Sequence, residues 1–217
     1  MPTRTEGRVD RATWSLRTGT SPRWAEAALT DPLRLLDDHA HLEKKAASNA
    51  LDLIGHWPEQ TPQGKRPDAP PRRWVVALTR IVRDEAQHLG RVIQELEARG
   101  GKWSKAHRNA YAQELRKAVR TGDGPDETVD RLLVSALIEA RSHDRFAALA
   151  EAAGDGLSAL YRGLMHAEAG HFLVFVELAL EVRKESAVRT RWNELTQWEA
   201  DVLAAQAPGP RIHSGEP

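Results

Sequence analysis

The sequence predicts an all-α protein, a four-helix bundle with additional short helices. Apolar residues recur at helical spacing through almost every segment after residue 20. Ser21-Pro22 and Asp31-Pro32 each pair a capping side chain with a proline suited to the first helical turn. No stretch alternates apolar and polar residues as a half-buried strand does. Even the Val/Phe-rich "FLVFVELAL" keeps helical spacing through Leu164, Glu168, His171, Phe175 and Leu178.

The elements follow in order. "SPRWAEAAL" makes a short helix after Ser21, and "DPLRLLDDHAHLEKKAASNALDLIGHW" a long one to about residue 56. The proline-rich stretch 58–71 is a loop. A second long helix covers about 72–99 and is closed by Gly100 and Gly101. A shorter helix over 104–122 takes Ser104 as its cap. "DGPDE" breaks the chain before the third long helix, about 126–153, and Gly154 and Gly156 separate it from the fourth, about 157–184. A last helix spans about 187–205. The expected organisation is a flexible N-terminal segment over 1–20, a bundle domain over 21–206 and a C-terminal tail over 207–217.

Composition narrows the function classes. The chain has 217 residues, 31 basic against 31 acidic, so no whole-chain field points to nucleic acid or membrane. No apolar run approaches the roughly 20 residues that span a bilayer. The N-terminus lacks the apolar core of a signal peptide. With no cysteine there are no disulfides, thiolate ligands or thiol nucleophiles. A cytoplasmic protein without membrane contact is the expectation.

Two strings carry Glu-x-x-His: "RDEAQHL", with Glu85 and His88, and "HAEAGHF", with Glu168 and His171. In a chain rich in glutamate two such pairs prove little alone, and their surroundings decide. Glu85 and His88 lie within the stripe Leu78, Ile81, Val82, Leu89 and Val92. Glu168 and His171 lie within the stripe Tyr161, Leu164, Met165, Phe172, Phe175 and Leu178. Residues three apart project on one side of a helix, so each pair can hold one ion together. The other two long helices each place one glutamate on an apolar stripe. Glu43 sits among Leu35, Leu36, Leu42, Ala46, Ala50 and Leu53, and Glu139 among Leu132, Ala136, Phe146 and Leu149. A Glu helix followed by a Glu-x-x-His helix, twice over, is the ligand plan of carboxylate-bridged di-metal bundles.

Charge supports this plan. Four buried carboxylates without partners are prohibitively costly, whereas two divalent cations balance them and two neutral imidazoles complete the set. Oxygen and nitrogen ligation without sulfur suits iron or manganese, and the residues alone do not choose between them. His39, His41, His143, His166, Asp38 and Asp84 are near enough in sequence to orient ligands. Lys44, Lys45 and Arg141 read as solvated charges coating the helices. On ligands alone, a ferritin-like iron-storage or peroxide-detoxifying di-metal protein stays an open alternative to an enzyme.

The strings "HAHLEKKAASNALDLI", "RDEAQHL", "IEARSHDRFAALA", "HAEAGHFLVFVELA" and "RIHSG" resemble the bacterial tRNA hydroxylase family acting on 2-methylthio-N6-isopentenyladenosine. The resemblance covers about residues 23–215 and implies a ferritin-like fold. Its ligand positions fall on Glu43, Glu85, His88, Glu139, Glu168 and His171, the six found above. One departure is Gln87 before His88, where a further acidic residue and adjacent histidines are expected. The resemblance implies a non-haem di-iron monooxygenase, with two iron ions rather than manganese and O2 as co-substrate. The implied reaction hydroxylates the isopentenyl group of the modified adenosine at position 37 of the tRNA anticodon loop. Two electrons would come from an external reductase, since the chain shows no flavin or iron–sulfur motif. Neither the residues nor the resemblance sets an oligomeric state.

A tRNA substrate needs phosphate contacts, and a chain of zero net charge must supply them from a local cluster. Candidates are Lys65, Arg66, Arg72 and Arg73 before the Glu85 helix, and Lys102 and Lys105 beyond its end. The loop group is favoured, because the proline-rich segment is long enough to bend over a substrate.

Overall fold

A computed structural model describes residues 9, 11–58, 60, 64, 67–154 and 156–217. Among them the regular structure is helical: α1 (Pro22–Ala28), α2 (Pro32–Leu53), α3 (Arg72–Ala98), α4 (Ala110–Arg116), α5 (Pro125–Ala152), α6 (Leu157–Val182) and α7 (Glu185–Ala204), with short 3-10 turns at Arg11–Thr13 and Ile54–His56. The caps form as the sequence indicates. Ser21 accepts from the Trp24 amide and Asp31 from the Arg34 amide, with Pro22 and Pro32 at the first helical turn.

The shorter helix is an exception. It begins at Ala110, capped by Asn109, because Ser104 is engaged elsewhere: its amide and hydroxyl both bond the Asp37 carboxylate. Residues 104–109 are thereby bound to α2 instead of starting a helix.

Two antiparallel pairs make the bundle, α2 with α3 and α5 with α6. The Trp74 indole donates to the Leu53 carbonyl, tying the start of α3 to the end of α2. Arg73 at the start of α3 meets Glu177 and Glu181 near the end of α6, so these two helices are also antiparallel. The connection over 99–124 therefore returns along the bundle, whose length is about 40 Å at 1.5 Å per residue. This long crossover lays α4 across the open side between α2 and α5.

Buried positions on α3 run Trp74, Leu78, Ile81, Glu85, His88, Val92 and Leu96, a stripe stepping by three and four. Two polar residues thus occupy core positions by register. On α6, Glu168 and His171 lie in the same stripe as Leu164, Phe172 and Phe175. By length and composition α6 is apolar enough to cross a membrane, yet its buried Glu168 and His171 meet carboxylates of α3 and α5 inside the bundle.

Described residues before α1, and the tail, lie against the bundle. Of the segment expected to be a flexible lead, residues 1–8 and 10 lie outside the described residues; within the rest, Trp14 is buried edge-on against Trp192 and Thr20 is bonded to Asp144. The tail is held by three helices and by a bond within itself. The Ile212 amide donates to Asp38 on α2, and Arg145 on α5 donates to the Ser214 carbonyl. The Trp24 indole on α1 donates to the Ser214 hydroxyl, and the Gly215 amide to the Ala207 carbonyl just beyond α7. A side chain at 215 has no room, since its Cβ would lie 1.9 Å from the Gln206 carbonyl oxygen.

Candidate metal centre

The four long helices bring their polar core residues to one place. Glu43, Glu85, His88 and Glu168 offer ligand atoms all within 4.8 Å of one another, and so do Glu85, Glu139, Glu168 and His171. All six positions picked out by register are present, and Glu85 and Glu168 belong to both groups. Two ions held this way would share two carboxylates. His88 Nδ1 faces Glu43 at 3.6 Å, Glu168 at 3.7 Å and Glu85 at 3.9 Å. His171 Nδ1 lies 2.7 Å from Glu85 and 3.8 Å from Glu139.

Polar satisfaction tests whether metal fits. Buried side-chain atoms rarely lack a hydrogen bond. Here Glu85 Oε1, His88 Nδ1, Glu168 Oε1 and His171 Nδ1 are all buried without one. His171 Nδ1 and Glu85 Oε1 approach closely but not in hydrogen-bonding geometry. Atoms that converge on shared points without bonding each other are arranged as ligands. The donor set, carboxylate oxygen and imidazole nitrogen, suits iron or manganese.

Electrostatics agree. Burial pushes the Glu85 carboxyl well above the usual range, and the charges of Glu43, Glu168 and Glu139 push it further. Glu168 is raised by burial and then by Glu139 and Glu43. Burial would raise Glu43 too, but close contact with the Glu85 carboxyl, the hydrogen bond from His39 and the nearby His88 ring hold it well below the usual range. Burial would lower His171, yet the nearby Glu139 carboxylate raises it. Without cations the site must keep protons on some carboxylates, and two divalent ions remove that need.

Residues around the six sort by contact. The His39 ring, buried between Phe146 and Tyr161, bonds Glu43 at 2.5 Å and fixes that carboxylate. Asp84 lies 3.7 Å from His171 Nε2, on the side of the ring away from the cluster. Asp38 instead binds His107 and the tail, and His41 stacks on His107. His143 bonds the Met165 carbonyl, while His166 and Gln87 are exposed. The departure at Gln87 therefore falls outside the site. Arg141 is not a coating charge: it is fully buried and doubly bonded to Glu199 on α7, where its stem and charge replace apolar packing.

A cavity of about 320 Å³ reaches Glu43, Glu85, Glu139 and Glu168 from the open side between α2 and α5. Leu42, Ala46, Ile138 and Phe146 give it apolar walls, and Lys45 and Arg116 are among its polar lining. His213 of the tail also lines it, a residue the sequence did not single out. The string "RIHSG" was the only available signal, and nothing in its spacing places it near the cluster. His213 stacks on Tyr111 with centroids 4.5 Å apart, and burial pushes its pKa down to about 3.

The basic residues expected to meet RNA are placed elsewhere. Lys65 and Arg66 lie outside the described residues. Arg72 is exposed and Arg73 is ion-paired to Glu177 and Glu181, and neither lines the cavity.

Known proteins resemble the chain over nearly its whole length. The family model described as tRNA-(MS[2]IO[6]A)-hydroxylase (MiaE) matches residues 8–214. A tRNA 2-(methylsulfanyl)-N(6)-isopentenyladenosine(37) hydroxylase of Pseudomonas putida is 35% identical over 200 residues, covering 91% of each chain. The protein of the same name from Salmonella typhimurium is 32% identical over 146 residues, 67% of this chain and 53% of that one. Among solved structures, a Synechococcus protein with aldehyde deformylating oxygenase activity superposes with a TM-score of 0.82 at 31% identity, covering 93% of this chain and 96% of that one.

Proposed function

We propose a function from one established premise: this chain belongs to the MiaE family of tRNA hydroxylases. It is a non-haem di-iron monooxygenase that hydroxylates the isopentenyl group of 2-methylthio-N6-isopentenyladenosine at position 37 of tRNA. The observation that carries this reading is the cavity, which joins the molecular surface to the six-residue cluster between apolar walls.

Glu43 and His88 would hold one iron and Glu139 and His171 the other, with Glu85 and Glu168 available to both. An iron pair bound there would supply the O2 activation that inserts one oxygen atom into a C–H bond, with the other leaving as water and the two electrons and two protons coming from an external reductase and solvent. The remaining work belongs to the chain. Leu42, Ala46, Ile138 and Phe146 seat the prenyl group and keep water from the reacting carbon. His39 holds the Glu43 carboxylate in one orientation through its ring N–H. The polar lining, including Asn49, Gln113 and Asn109, can meet the edge of the adenine that carries the prenyl group. Storage of iron, or disposal of peroxide, would not require a cavity built with apolar walls and a polar, basic mouth.

The test is direct. Iron-loaded protein, a reductant, O2 and tRNA carrying the unhydroxylated nucleoside are combined, and the digested nucleosides are weighed by mass spectrometry. The expected product is heavier by one oxygen atom on the prenyl group. A long-chain aldehyde forms the control arm, because the Synechococcus neighbour has aldehyde deformylating oxygenase activity. Conversion of the aldehyde with no change in the tRNA would replace this reading.

A further inference from the structure

The cavity has a neighbour. A surface cleft of about 630 Å³ lies between α4, α7 and the tail, and shares Asn109 and His213 with the cavity. At about 320 Å³ the cavity is near the lower end of roughly 300–1,000 Å³ typical of small-ligand pockets. It has room for a prenylated base. The ribose phosphates on either side must stay outside, along the rim and the adjoining cleft.

That rim is basic. Lys45 and Arg116 line the cavity, and Arg108 and Arg211 line the cleft. The three arginines are exposed. None of the four makes an ion pair with a described residue, and Lys45 is turned toward the His107 ring and carbonyl instead. Carboxylates of the cleft are occupied by other partners. Asp38 is taken by His107 and the Ile212 amide, Glu114 by Lys117, and Asp201 by the Gln197 amide. Trp198, 40% exposed, adds a flat apolar surface in the same cleft. Unpaired cations beside an exposed aromatic ring are the combination that binds a single-stranded backbone and its bases.

We propose that this rim is the RNA-docking surface of the protein: Lys45, Arg116, Arg108 and Arg211 contact phosphates of the strand whose modified base enters the cavity, and Trp198 stacks on a neighbouring base. The proposal rests on the tRNA reading above and moves the phosphate contacts from the proline-rich loop to the cavity mouth. Position decides between the two, because of the described cations Arg72 and Arg73 neither lines the cavity and Arg73 is committed to Glu177 and Glu181.

The experiment measures binding of full-length tRNA carrying the unhydroxylated nucleoside as a function of salt. Each phosphate contact on a single strand contributes about 0.7 to the slope of log affinity against log salt. Changing Lys45, Arg108, Arg116 and Arg211 together to Ser should make the slope shallower by about 2.8, so that roughly 50-fold of the affinity lost between 50 and 200 mM salt disappears. The exposed pair Arg108→Ser with Arg211→Ser should account for about half of that change, and it serves if the fourfold variant folds poorly. Swapping Lys and Arg for each other at the four positions should keep the slope. Arg72→Ser with Arg73→Ser should leave it unchanged. An unaltered slope in the Ser variants, or a shallower one only in the Arg72/Arg73 variant, overturns the proposal while leaving the hydroxylase reading intact. Wild-type protein that neither binds nor hydroxylates the tRNA overturns both.

Discussion

Replacing His213 with Gln should change how stability depends on pH. The imidazole is buried between the Tyr111 ring and Ser142, and its pKa falls from the usual 6.5 to about 3. Burial is the main cause, and Arg145, Arg141 and His39 add to it against the pull of Asp38. Below pH 6.5 the unfolded chain takes up a proton here that the folded protein refuses until about pH 3. The unfolded state therefore holds more protons in that window, and stability is lost as pH falls through it. At about 1.4 kcal/mol per pH unit, the site removes about 2 kcal/mol between pH 8 and pH 5. Gln keeps a planar polar group but has no proton to gain. Urea unfolding of both proteins, in one metal state and at several pH values from 8 to 5, gives the difference in stability at each pH. Lost stacking on Tyr111 shifts that difference by a constant, and titrations common to both proteins cancel. The wild-type advantage should shrink by about 2 kcal/mol across the range. A difference that stays constant within about 0.5 kcal/mol would show that the imidazole is not held neutral by burial.

Two further outcomes concern the metal. Glu85→Ala and Glu168→Ala should each abolish most metal binding, because each carboxylate belongs to both ligand groups; full metal content in both purified variants would show that neither is shared. Stripping the metal should destabilise the protein more at pH 7.5 than at pH 5.5. The raised Glu85 and Glu168 carboxyls keep protons in the stripped fold that the unfolded chain releases above about 4.5, so the stripped protein loses stability as pH rises through the folded values. Melting temperatures of loaded and stripped protein at both pH values check this, and an equal gap contradicts it.

The sequence displayed what helical register can display. Glu43, Glu85, Glu139 and Glu168 were visible because a charge on an apolar stripe needs a buried partner, and the caps at Ser21 and Asp31 because a cap is a local bond. Contacts between distant residues were not visible. Ser104 has the right composition for a helix cap, but Asp37, 67 residues earlier, takes its hydrogen bonds. Arg141 looks like a surface charge until Glu199, 58 residues later, is packed against it. His213 sits in a short tail with no periodicity to read, and its place beside the cavity depends on Asp38, Arg145 and Trp24 together. The cavity itself arises from the gap between α2 and α5, a spacing that no single helix encodes.

The fastening of the tail also orders the assembly of the protein. Helix pairs α2–α3 and α5–α6 join neighbours in the chain, and the six-residue cluster forms where the two pairs meet. The His213 wall closes over far greater distances, with Trp24 meeting Ser214 across 190 positions and Asp38 meeting Ile212 across 174. Contacts of such separation come late, because loop closure must precede any return from them. An intermediate with the ligand cluster formed and the tail still free would expose the centre to small ions. Docking of the last few residues adds His213 to the cavity lining and so narrows the way to the cluster.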